Sequence, residues 1–282
     1  MSVNRTTSRV TCPDGLSMAV DVYAPEGAGA PLPVTVVCHG FKGFKDWGLF
    51  PPLCERLAAS GRALVTFDYS HSGIGDEPGE FTRLDLFEAQ TVSRHVADLG
   101  LVFDHLDAGS LSSGAPLQKH KHYNVLGHSL GGAVAILRAA EDGRVVQVST
   151  LNAVADLDRL GPEGHAELEA HGRVLIRNQR TGQDMPLGRA WLDDLGDLDL
   201  EDAATQVFVP ALIVQGDADT SVSPAEAEQI NSWIAGSRLA RIAGGDHTFG
   251  AVHPFAGWTP ALEAVAGELD AFLPHVGRLG GI

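Results

Sequence analysis

Short apolar runs alternate with longer stretches of helical spacing along most of this chain, and that rhythm admits few folds. Val34 to Cys38, Ala63 to Phe67, Tyr123 to Leu126, Val145 to Leu151, Ala211 to Gln215 and Leu239 to Ala243 read as strands. Continuous apolar runs of this length suit strands covered on both faces, as in a parallel sheet. Met18 to Tyr23 alternates and reads as an early, half-exposed strand. Between the runs, Trp47 to Ala59, Leu86 to Leu106, the segment after Ser129 through Ala140, Ala225 to Ile234 and Thr259 to Phe272 carry helical periodicity. Strands alternating with crossover helices give an α/β fold around a parallel sheet. The stretch from Asn152 to Gln206 breaks the rhythm and is far longer than an ordinary connection. It holds helix-like pieces, Trp191 and many carboxylates. A lid over a site is the expectation there, set against a solvated insertion without a role.

Charge removes several partners. The chain has 282 residues and a formal net charge of −16. Such an acidic surface repels phosphate backbones and anionic bilayers, so neither nucleic acid nor membrane is an expected partner. No run approaches the length of a membrane span, and Met1 to Gly15 lacks the apolar core of a signal peptide. A cytoplasmic location follows as the expectation. Cys12, Cys38 and Cys54 are too few and too irregularly spaced for a disulfide framework or a metal site. A Cys12–Cys54 pair is the one disulfide considered. The glycines near the end, Gly277, Gly280 and Gly281, suggest fraying.

Gly127-His128-Ser129-Leu130-Gly131 carries the chemistry. It follows one predicted strand and opens a predicted helix, the context in which G-x-S-x-G places a serine on a tight strand-to-helix turn. A serine hydroxyl needs a base to become nucleophilic at neutral pH. Of the twelve histidines, His247 lies in the loop after the last predicted strand, where a parallel sheet delivers side chains to its C-terminal edge. His253, in the same loop, is the alternative. His39 and His128 flank other parts of the site and are expected to shape the pocket. A carboxylate must orient the base. Asp219 has the spacing for that role in Gly216-Asp217-Ala218-Asp219. Asp217 is a second candidate, with local backbone bonding as its other reading. Asp246 is too close in sequence to face His247. The oxyanion donors are expected to be the N–H groups of Leu130 and of Phe41, with Gly40 shaping the turn in His39-Gly40-Phe41.

With Ser129, Asp219, His247 and His39-Gly40-Phe41 assembled, the chain resembles the α/β-hydrolase superfamily over nearly its whole length. HGFKGFKDWG and DYSHSGIG are similar to a branch of small bacterial esterases related to cinnamoyl (feruloyl) esterases, dienelactone hydrolases and prolyl oligopeptidase catalytic domains. The resemblance implies a mostly parallel sheet of about eight strands with helices on both faces, a Ser-His-Asp triad and no cofactor or metal. It also implies a lid where residues 152–206 fall, between core halves spanning 1–151 and 207–282. Ser129 separates the chain from relatives with an aspartate nucleophile and from dienelactone hydrolases proper, which use cysteine.

A serine esterase acting on a small-molecule ester is therefore the leading expectation, with Trp191, His39, Gly40 and His128 as candidate substrate contacts. A serine peptidase or amidase, or an acyltransferase, is the alternative on the same residues. A catalytically inactive hydrolase fold serving as a binding module is the alternative from another class.

Overall fold

The computed structural model describes residues 1–118 and 121–276, so the glycines at 277, 280 and 281 lie outside the described residues. Ten strands and nine helices are formed among them. β1 (Val3–Thr11), β2 (Ser17–Pro25), β3 (Val34–Cys38), α1 (Phe50–Ala59) and β4 (Ala63–Phe67) open the chain. α2 (Leu84–Glu88), α3 (Val92–Asp107), β5 (Tyr123–His128), α4 (Leu130–Glu141) and β6 (Val145–Leu151) follow. An inserted segment then holds α5 (Gly161–His171), β7 (Arg173–Arg177), β8 (Asp184–Gly188), α6 (Arg189–Leu195) and α7 (Leu200–Thr205). β9 (Ala211–Gly216), α8 (Pro224–Trp233), β10 (Arg238–Ile242) and α9 (Pro260–Phe272) close the fold.

Eight strands make one sheet in the order β1-β2-β4-β3-β5-β6-β9-β10, and β7 pairs with β8 in a separate hairpin. β2 runs antiparallel to both β1 and β4, whereas β4, β3, β5, β6, β9 and β10 are successive parallel neighbours. Alternate residues of each central strand feed opposite cores. Val36, Val125 and Ile213 pack with α3 and α4, through Leu99, Phe103, Val134 and Ile136. Val37, Leu126 and Leu212 pack on the other face with Leu53 and Leu57 of α1 and Leu262 and Leu269 of α9. The period of two explains why these strands are apolar throughout: both faces are covered.

Several elements depart from the sequence reading. β1 reads VNRTTSRVT and is largely polar, so it gives no apolar signal. It is an edge strand, with Arg5 and Arg9 along it, and such edges suit charged residues. Its presence also buries β2, which is enclosed from Val20 onward rather than half-exposed. The long helix expected from Leu86 to Leu106 is split into α2 and α3. Thr91 takes extended geometry there, and its side chain accepts from the Arg94 N–H, so a cap interrupts an otherwise continuous period. The three cysteines are buried free thiols, which sets aside a Cys12–Cys54 disulfide.

Candidate active site

Ser129 stands between β5 and α4 with φ 56° and ψ −123°. This is a left-handed backbone for a residue with a side chain, a strain of about 1–3 kcal/mol that the surrounding sheet must hold. Asp219 and His247 come from the turns after β9 and β10. His247 Nδ1 lies 2.8 Å from Asp219 Oδ2. The other carboxylate oxygen accepts the N–H groups of Ser221 and Val222 at 2.8 and 3.0 Å. Burial alone would raise the Asp219 pKa, but the bonds from His247 and these amides outweigh it and hold the carboxyl below its usual value. An ionised carboxylate only accepts, so Nδ1 carries the imidazole proton and Nε2 is left basic.

Ser129 and His247 line one cavity of about 370 Å³. The core side contributes Phe41, Lys42, Leu130 and Val222. The inserted segment contributes Val154, Leu157, Leu160, Ile176, Leu187 and Trp191. Phe41 and Trp191 face each other with ring centroids 5.4 Å apart. Leu130 is the first residue of α4, where peptide N–H groups point out of the helix. A larger polar hollow of about 510 Å³ lies by β1 and β2, lined by Arg5, Lys45, Asp46 and Asp68. Ser129, Asp219 and His247 are not among its walls, so the smaller apolar cavity is the candidate site. Among the described residues, no cluster of His, Cys, Asp or Glu is arranged to hold a metal ion.

Trp191, of the expected substrate contacts, lies in the cavity wall. Gly40 instead packs under Ser129: a Cβ there would sit 2.9 Å from Ser129 Cβ. His39 and His128 are buried behind the wall and do not line the cavity. His39 Nδ1 bonds the Gly40 carbonyl at 2.9 Å, and His128 Nε2 donates to the His247 carbonyl at 2.8 Å. His253 accepts from the Gly48 N–H at 3.1 Å and packs between Phe44 and Trp47. Asp217 accepts the Gly244 N–H and so bonds the turn after β9 to the loop after β10, whereas Asp246 accepts the N–H groups of Thr248 and Gly250 and organises its own loop.

Asn152, the first residue of the inserted stretch, has a more central place than the sequence pattern indicates. It is fully buried at the end of β6, with φ 47°. Its Nδ2 donates to the carbonyls of Asp246 and His247, both at 3.0 Å, and its Oδ1 accepts the Gly216 N–H at 2.8 Å. One side chain thus ties the Asp219 turn to the His247 loop. The available signal was an asparagine directly after a strand, a residue type that tolerates left-handed geometry.

Buried histidines make the fold acid-sensitive. Burial lowers the pKa of His39 to about 4 and those of His95 and His128 to about 3. Both ring nitrogens of His95 and Nε2 of His39 find no protein partner among the described residues. Each imidazole stays neutral in the fold while the unfolded chain takes up a proton below about pH 6.5. Their stabilisation is therefore full above that pH and is lost as pH falls toward 4. Asp68 and Asp98 act oppositely: burial raises both to about 6, so the fold binds their protons first. His71 and His253 are lowered as well, and Asp21, Asp142 and Asp219 are held below the usual carboxylate value, so most displaced groups lose stabilisation as pH falls. The thermal midpoint falls between pH 6.5 and 4; a midpoint constant or rising across that window contradicts this balance.

Residues 35–277 match the profile of the Alpha/beta hydrolase family. The chain belongs to that family. No curated protein matches the sequence. Among solved structures, Est1E from Butyrivibrio proteoclasticus superposes with a TM-score of 0.71 at 20% identity, covering 94% of this chain and 96% of its own. The same protein is also known with ferulic acid bound. A hydrolase described as putative from Agrobacterium vitis gives 0.68 at 19% identity, covering 96% and 99% of the two chains. Dienelactone hydrolase from Anabaena variabilis gives 0.61 at 18%, covering 96% and 97%. At these identities the likeness is one of fold.

Proposed function

We propose that this α/β hydrolase cleaves carboxylic esters of small molecules by acyl transfer through Ser129. The observation that carries this reading is the strained Ser129 sharing a cavity with His247, whose far nitrogen is bonded to buried Asp219. His247 Nε2 takes the proton as Ser129 Oγ attacks the ester carbonyl. Asp219 keeps the ring in the right tautomer and stabilises the imidazolium that forms. The N–H groups of Phe41 and Leu130 receive the oxyanion. The imidazolium then protonates the leaving alcohol, and water cleaves the acyl-enzyme by the same route.

The walls favour an apolar or aromatic acid. Phe41 and Trp191 form an aromatic face, and Leu130, Leu157, Leu160 and Ile176 supply aliphatic contact. Ferulic acid, bound by the structurally similar Est1E, has that character. In this reading residues 152–206 act as the lid, since they provide half of the cavity wall. Hydrolysis of p-nitrophenyl esters from acetate to decanoate tests the proposal. A cavity of about 370 Å³ is at the small end for ligand sites, so turnover peaks within the series rather than at its long end. If no ester is turned over while a fluorophosphonate still labels Ser129, ester hydrolysis is the wrong chemistry.

A further inference from the structure

The wall beside Ser129 contains no carboxylate but two cations, Lys42 and Arg159. They differ in what they already hold. Arg159 Nη1 is paired with the Glu226 carboxylate at 3.0 Å, and its Nη2 donates to the Ser221 carbonyl at 2.6 Å. Lys42 Nζ donates only to the Arg177 carbonyl, at 3.1 Å, and lies 5.8 Å from the centre of the Phe41 ring. Among the described residues no carboxylate is within ion-pairing distance of it. Half-burial without a counter-charge pushes the Lys42 pKa down. An anion delivered to this ammonium replaces the lost hydration and stabilises the charge. The overall charge of −16 does not cancel this local preference, because distant charges are screened beyond about 8 Å at physiological ionic strength.

We infer that the substrate is an ester with an apolar body and a negatively charged group, and that the Lys42 ammonium receives that group beside the oxyanion loop. The inference rests on the reading of Ser129 as the nucleophile of the same cavity. The competing role for Lys42 is a tether between the oxyanion loop and the β7–β8 hairpin through Arg177. A tether acts on charged and neutral substrates alike, so the ratio between them separates the two roles.

Two matched pairs of chromogenic esters provide that ratio. In the first, the anion is on the acid: mono-p-nitrophenyl suberate against its methyl ester. In the second it is on the alcohol: 3-carboxy-4-nitrophenyl octanoate against its methyl ester. In one pair the wild-type enzyme prefers the anionic member by roughly tenfold or more in kcat/KM, the scale of one charge-assisted hydrogen bond in a partly desolvated site. Lys42→Met brings that ratio near one, and Lys42→Arg keeps most of it. No preference in either pair, or a preference that survives Lys42→Met, overturns the inference. Failure of the esterase reading looks different, since none of the four esters is then turned over. Calorimetric binding of the same esters to Ser129→Ala protein, with and without Lys42→Met, then reads the ratio directly. Lys42-dependent preference there upholds the anion site, and its absence overturns it.

Discussion

Ser129→Ala lowers the turnover of any ester this protein hydrolyses by about four to six orders of magnitude, with little change in thermal midpoint. The substitution removes one oxygen and nothing else. Alanine keeps the Cβ, so the strained backbone at φ 56° is equally strained in the variant. Ser129 has no side-chain bond capping α4, so no cap is lost. In the proposed mechanism, what remains without the Ser129 hydroxyl is water attack assisted by the N–H groups of Phe41 and Leu130, worth roughly 10³-fold over solution. Parallel measurement of kcat and thermal midpoint on separately purified proteins checks this. A variant that keeps more than about 1% of wild-type turnover, far above the residual expected from oxyanion donors alone, removes Ser129 from the mechanism.

The sequence was most informative where one physical cause acts alone. Val34–Cys38, Ala63–Phe67 and Val145–Leu151 form the strands expected of them, because burial on both faces leaves a continuous apolar run. The strand-turn-helix at Ser129 was legible because its backbone tolerates so few residue types. The pairing of Asp219 with His247 followed from topology, since both lie in turns at one edge of a parallel sheet. Legibility ended where two causes compete or where a contact is made by backbone. The Thr91 cap overrides a helical period that continues through it. The β7–β8 hairpin lies inside a segment whose charge and glycines gave no strand signal. His39 and His128 sit at the right places in the chain, yet both rings turn inward and bond carbonyls. Asn152 acts through the carbonyls of Asp246 and His247, and nothing in a list of side chains shows where a carbonyl points. The scaffold that aims His247 was thus less legible than His247 itself.

Gly127→Ala abolishes recovery of folded protein, whereas the same change at Gly267 stabilises it. A Cβ on Gly127 would lie 2.0 Å from the Gly131 carbonyl oxygen, 2.4 Å from its carbon and 2.5 Å from the Gly132 nitrogen. All three are backbone atoms of the turn that carries Ser129, so no side chain can swing aside. Gly127 cannot retreat either, since it is paired to Cys38 on one side and Thr150 on the other. The cost exceeds about 4–5 kcal/mol, the range reached only by gross steric or burial defects and comparable to the whole stability of many domains. Gly267 lies exposed inside α9, with open space around the position where its Cβ would be. Alanine there removes unfolded-chain entropy and favours the helix by about 0.5–1 kcal/mol. For a chain of this size that raises the midpoint by a few degrees at most. Soluble yield and thermal midpoint of the two variants, prepared side by side, check both signs. Gly127→Ala protein with a midpoint within a few degrees of wild type requires a turn with more slack than these distances allow. It also removes the steric reason for glycine two residues before Ser129.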